Sequence, residues 1–238
     1  MRLAPAPDQP QGRARLGYAD LPRLMALASG DENHQGAAAS TLDVLWVLYD
    51  RVLRVDPRRP HDPERDRLVL SKGHGPIAYY AVLAAKGFIH PNLLAGFGGW
   101  DSPLGRHPDR RLVPGVEISS GSLGHGLPIA IGMALALRTR SAAGPRVVCL
   151  LGDGELDEGS VHEAIAFAGR IGLDQLTAVV VDNRSARWGW PGGVASRFER
   201  EGWTAATAGG RDHEALGEAL ADRREGRPRA VVAEVWQA

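Results

Sequence analysis

Apolar residues along this chain follow two alternating spacings. Residues 146–151, 177–182 and 230–235 are short, nearly continuous apolar runs, of which Ala178-Val179-Val180-Val181 is the clearest. Runs of that length, bounded by loop residues, predict strands buried on both faces, as in a parallel sheet. Helical spacing falls between them, at residues 160–171 and 213–223. The order strand, helix, strand over 146–182 predicts a βαβ unit, and the last helix and strand repeat it. Upstream, a short helix is expected from Ala19 to about Ala28. Leu42, Leu45, Tyr49 and Val52 form the stripe of a second helix, with Ser40 or Thr41 as its cap. Pro57, Pro60 and Pro63 break that helix, and residues 67–70 read as a short strand. Pro76 suits the first turn of a helix reaching about Lys86. A helix of small residues should run from the glycines near 126 to about Arg138.

These elements predict an α/β fold, a mainly parallel sheet sandwiched by helices. Residues 1–16, rich in Pro, Ala, Gln and Arg, read as a flexible tail, which leaves 17–238 as one domain. Residues 96–121 carry little periodicity and much Gly and Pro, and long loops in compact domains are usually functional.

Charge narrows the function classes. Lys+Arg and Asp+Glu both number 28, so no net field draws the chain to nucleic acid or an anionic membrane. No nucleic-acid-reading motif is present. The single cysteine, Cys149, lies inside an apolar strand run and has no disulfide partner in this sequence, which fits a reducing, cytoplasmic compartment. No apolar run approaches the roughly 20 residues that span a bilayer, and the N-terminus lacks an apolar signal core.

Candidate chemistry centres on Gly152-Asp153-Gly154-Glu155 at the end of one strand and Asn183 at the end of the next. In a parallel sheet both fall at the carboxyl edge, where α/β folds bind ligands. Asp153 offers a hard, charged oxygen and Asn183 a neutral amide oxygen. With a nearby carbonyl and phosphate oxygens they suit octahedral Mg²⁺. Gly-Asp-Gly alone is a common turn, and an Asn after a strand is ordinary; their order across a βαβ unit gives them weight.

At these residues the sequence resembles the transketolase family. The run from Leu151 to Ser160, followed by an apolar strand and Asp182-Asn183, is similar to the family's thiamine diphosphate motif. Further similar segments are Asn33-His34-Gln35-Gly36, Arg65-Asp66-Arg67 leading into Ser71-Lys72-Gly73-His74-Gly75, and Gly105-Arg106-His107-Pro108. So is the stretch from Pro114 to Gly124. The resemblance covers roughly residues 20–235.

It implies thiamine diphosphate and Mg²⁺ as cofactors. Asp153, Asn183 and the Ser185 carbonyl would hold the metal. His74, Gly121, Leu123, Gly154, Glu155 and Asn183 would surround the cofactor. His34 and His107 would face the substrate's hydroxyl and carbonyl groups and act as catalytic residues. Glu158 matches an acid near a subunit interface, or serves only as an acid at a helix N-terminus.

The resemblance also has gaps. Full-length relatives carry a pyrimidine-binding domain whose glutamate activates the cofactor, and this sequence ends at Ala238 before one. It stops at Trp236-Gln237-Ala238 where the family continues into a glycine-rich loop with a further histidine, and Arg184-Ser185-Ala186-Arg187-Trp188-Gly189-Trp190 replaces the usual continuation after Asn183. A second chain bearing the pyrimidine domain is therefore expected, in an α2β2 heterotetramer that transfers a two-carbon ketol unit between sugars or sugar phosphates. The pathway would be a specialised one, and an unusual sugar or aminosugar is the expected product. The alternatives are a related enzyme that passes an acyl or glycolyl unit to a thiol carrier, and a non-catalytic regulatory remnant.

Overall fold

The computed structural model describes residues 16–28, 35–140, 144–222 and 224–236, with side chains 35–37 excepted. The expected tail lies outside these residues except for Leu16, which packs on the core.

Five parallel strands form one sheet: β1 (Arg67–Leu70), β2 (Val147–Gly152), β3 (Leu176–Asp182), β4 (Thr204–Gly209) and β5 (Arg229–Glu234). Their order is β1-β2-β3-β5-β4. Because successive side chains of a strand point to opposite faces, each strand feeds two cores. Leu68, Leu70, Val148, Leu150, Val179, Val181 and Val231 point to one face. There they meet α1 (Leu21–Leu27), α2 (Gln35–Val47), α3 (Ile77–Ala85) and α7 (His213–Ala221). Val69, Val147, Cys149, Leu151, Ala178 and Val180 point to the other. That face is covered by α4 (Gly126–Arg140), α5 (Gly159–Arg170) and α6 (Gly193–Arg200). Two covered faces explain why β2 and β3 read as unbroken apolar runs. Cys149 is wholly buried, and burial pushes its thiol well above the usual range.

The structure corrects the expected order in three places. Helix α2 starts at Gln35, not after a Ser40 or Thr41 cap, and its last turn widens into a π-helix over Leu48–Val52. Pro91–Gly96 forms a 3-10 turn that the pattern did not announce. Between β3 and the last helix stand α6 and β4, neither of them expected. Strand β4, with the sequence Thr-Ala-Ala-Thr-Ala-Gly, is half-exposed and pairs only with β5. An edge strand of small residues has too little apolar content to show as a run.

Among the described residues no helix is long and apolar enough to cross a membrane.

Candidate active site

Strands β2 and β3 lie side by side, with Gly152 opposite Val181, so the residues leaving their carboxyl ends emerge together. Asp153 is buried at 1% exposure. Its Oδ1 accepts from the Ser185 hydroxyl at 2.6 Å and its Oδ2 from the Ala186 N–H at 2.9 Å. The Asn183 Oδ1 accepts from the Ser185 N–H at 3.2 Å. The Ser185 carbonyl faces Gly154, where an added Cβ would lie 3.7 Å from it. The structure thus draws Asp153, Asn183 and Ser185 into one turn-on-turn contact. Among the described residues no three His, Cys, Asp or Glu side chains cluster for a metal. A metal at this edge would rest on one carboxylate and neutral oxygens. That set fits a hard ion such as Mg²⁺ that takes its remaining ligands from phosphate and water.

Glu155, expected to surround the cofactor, turns its carboxylate into the protein. Oε1 accepts from the Ser71 hydroxyl and from the Gly124 N–H at 2.9 Å, and burial raises its pKa. The Ser71 Oγ in turn accepts from the Gly126 N–H at 3.0 Å. Lys72, half-hidden in the sequence among glycines, is buried as well. Its Nζ donates to Thr41 Oγ1 at 3.0 Å. Burial holds its ammonium down to about 8, against the pull of Asp153 and Glu155.

His74 and His107 stand edge to face, 5.9 Å between ring centres. The Gly73 carbonyl, which can only accept, lies 3.0 Å from His107 Nδ1. That contact puts the proton of the neutral ring on Nδ1 and leaves the Nε2 lone pair unused. The His107 ring also rests on Gly121, where an added Cβ would meet ring Cγ at 3.1 Å. Leu123 is half-buried in the same loop. His34, the other expected catalytic histidine, lies outside the described residues.

Parts of two of the family-like segments are scaffolding. Arg65 pairs with Glu117. Asp66, fully buried, accepts from the backbone N–H groups of Arg54 and Arg146 at 2.8 and 2.9 Å. These contacts fasten the start of β1 to the chain after the π-helix, to the chain entering β2 and, through Glu117, to the loop before α4. Glu158 precedes α5 with an exposed side chain that makes no capping hydrogen bond.

The segment after Asn183 differs in character. Arg184 sits in the left-handed region at φ 58°, its guanidinium 3.3 Å above the Trp236 ring. Trp188 is 66% exposed. A cavity of about 260 Å³ opens beside Asp153, lined among others by Leu156, His162, Trp188, Trp190 and Arg197.

Comparison with known proteins identifies the family. Residues 21–235 match the family model for the transketolase, thiamine diphosphate binding domain. A protein of Rhodococcoides fascians named ferredoxin fas2 is 54% identical over 225 residues, 94% of this chain and 74% of that protein. A 6-deoxy-6-sulfo-D-fructose transketolase subunit from a Clostridium species is 36% identical over 207 residues, 84% of this chain and 75% of its own. The solved transketolase of Pichia stipitis with sedoheptulose-7-phosphate superposes with a TM-score of 0.80 at 25% identity. That superposition covers 91% of this chain but 35% of the longer one.

Proposed function

The chain belongs to the transketolase family through its thiamine diphosphate binding domain, and from that premise we propose that it is the cofactor-phosphate subunit of a two-chain transketolase. It would hold thiamine diphosphate through Mg²⁺ and act with a second polypeptide that supplies the pyrimidine-binding domain and its activating glutamate. An α2β2 heterotetramer is the closed symmetric assembly that builds two such sites. The reaction moves a two-carbon ketol unit between sugars or sugar phosphates of a specialised pathway, in the cytoplasm. The relative named as a sulfofructose transketolase subunit supports both the two-chain arrangement and an unusual sugar.

When bound, the cofactor supplies the carbanion chemistry that breaks and makes the C–C bond. This chain's residues do the rest of what the half-site requires. Asp153 and Asn183 fix the metal, with the Ser185 carbonyl as third oxygen. Gly121, Leu123 and Gly154 bring backbone and apolar wall to the cofactor, and His74 faces its phosphates. His107, with His34, takes and returns the substrate's protons.

The ferredoxin named among the relatives does not extend to this sequence. Iron–sulfur clusters are held by several thiolates, and the one cysteine here is sealed inside β2.

The observation that carries the proposal is the convergence of Asp153, Asn183 and Ser185 at adjacent strand ends. Asp153→Ala should abolish Mg²⁺-dependent thiamine diphosphate binding in the assembled enzyme and leave the fold intact by circular dichroism. Calorimetry showing normal, chelator-insensitive binding in that variant would sink the metal assignment.

A further inference from the structure

Arg184 is the one non-glycine residue among the described residues with a left-handed backbone, at φ 58°. It stands between Asn183 and Ser185, two of the proposed metal ligands. A side chain in that region crowds its own backbone, and such a conformation persists only when its surroundings fix it. Two hydrogen bonds shape the turn from within. The Arg184 N–H donates to Asp182 Oδ1 at 3.0 Å, and the Ser185 N–H to Asn183 Oδ1 at 3.2 Å. Ser185 and Ala186 then fasten the far side of the turn to Asp153. A further hold comes from outside. The Arg184 guanidinium lies 3.3 Å above the Trp236 ring, although both residues are exposed. The backbone leading to Trp236 is held by the sheet. Strand β5 pairs with β3 as far as Glu234 and Asp182, and the Val235 N–H donates to the Asp182 carbonyl at 2.9 Å. The two stretches in which the sequence departs from the family resemblance, 184–190 and the residues from Trp236 onward, meet at this contact.

We propose that Trp236 is a positioning residue: by stacking on Arg184 it holds the left-handed turn that sets Asn183 and Ser185 against Asp153. It acts through Arg184 and needs no contact with cofactor or substrate. The stack explains how an arginine can occupy this position. A glycine would take the conformation unaided, because it has no Cβ to crowd the backbone. An arginine carries the crowding but brings a flat group that the indole face binds. An alanine would keep the crowding and lose the stack. The turn and the stack belong to this chain; only their bearing on the metal rests on the proposed function.

Amide hydrogen exchange on the full chain, followed by NMR at Ser185 and Ala186, reads the turn directly, because these N–H groups donate two of its bonds. Trp236→Ala should speed exchange at both by about threefold to fivefold, the scale of an exposed cation–π contact. Trp236→Tyr, which keeps an aromatic face, should stay within about twofold of the parent. Arg184→Ala should loosen the turn at least as much as Trp236→Ala, whereas Arg184→Gly should leave it within about twofold of the parent. Added to Arg184→Gly, Trp236→Ala should change nothing further. That result separates positioning from a general loosening beyond β5, which would persist whatever residue follows Asn183. Mg²⁺-dependent thiamine diphosphate affinity of the assembled enzyme, measured by calorimetry, should fall and recover in the same order. Exchange in this order with no thiamine diphosphate binding even by the parent would keep the stack and sink the cofactor reading. Exchange in this order with the affinity of a binding-competent enzyme unmoved would overturn the positioning role. Unchanged exchange in Trp236→Ala, a Trp236→Tyr variant as loose as Trp236→Ala, or a Trp236→Ala effect undiminished beside Arg184→Gly would each overturn the stack as the holder of the turn.

Discussion

Two stretches flank the carboxyl edge, and they tolerate change very differently. In residues 71–75 and 121–126 the backbones press together: a Cβ on Gly126 would stand 2.2 Å from Ser71 Oγ, and one on Gly73 would lie 2.8 Å from Gly121 N. Gly124 holds φ 82°, open to glycine and costly for other residues. In residues 184–190 Trp188 is mostly in solvent, and a Cβ on Gly189 meets nothing within 4 Å. The packed stretch carries His74, Gly121 and Leu123, which we propose face the cofactor, and the open stretch is the one the sequence pattern marks as a departure from the resemblance. A site can hold a cofactor to a fixed position with one wall and leave the other free to change what approaches it.

The largest effect should come from the packed stretch and should split by role. His107→Ala is expected to lower ketol transfer about a hundredfold or more with cofactor affinity near normal, the usual loss for a proton-transferring group. His74→Ala should weaken the cofactor itself. Steady-state kinetics with a cofactor titration separates the two; identical behaviour in both assays would erase the division between them.

Next in size is a paired glycine test. Gly126→Ala drives a methyl group into Ser71 and should cost about 3 kcal/mol in denaturant unfolding, the upper end of ordinary overpacking. Gly189→Ala should change stability by less than about 0.5 kcal/mol, as surface substitutions do. Comparable costs at the two positions would break the contrast between the stretches.

A smaller effect concerns Lys72. Its ammonium titrates near 8 in the folded protein rather than at the usual 10.5, because burial disfavours the charge. Between those values the unfolded chain binds the proton and the folded one does not, so stability rises with pH across that window. Relative to Lys72→Met, the parent should gain about 2 kcal/mol between about pH 7.5 and about pH 10. A parent whose stability relative to that variant stays flat over that range would place the lysine in water.

Much of this was legible in the sequence where local pattern suffices. Strands β2 and β3 announce themselves because both their faces are buried, and Asp153 and Asn183 stand out because one βαβ unit separates them. Helix α6 and strand β4 did not, since a short helix after a Trp-Gly loop and an edge of Ala and Thr give weak signals. The start of α2 was misplaced for a related reason. Thr41 looks like a cap, yet its hydroxyl is taken by Lys72 from another element, 31 residues on. The inward turn of Glu155 rests on Ser71, 84 residues away. Spacing along a chain cannot reveal such pairings, because they exist only once the sheet has brought the segments together.

The central claim is that this chain holds the phosphate end of thiamine diphosphate and completes its site with a second polypeptide. Light scattering and a ketol-transfer assay on this chain alone, on the partner alone and on the mixture test it most directly. The account predicts no transfer from either chain separately. The mixture should form a particle with two copies of each, with activity and tight cofactor binding appearing together. Full ketol transfer by this chain alone would contradict it and place the activating acid within residues 1–238.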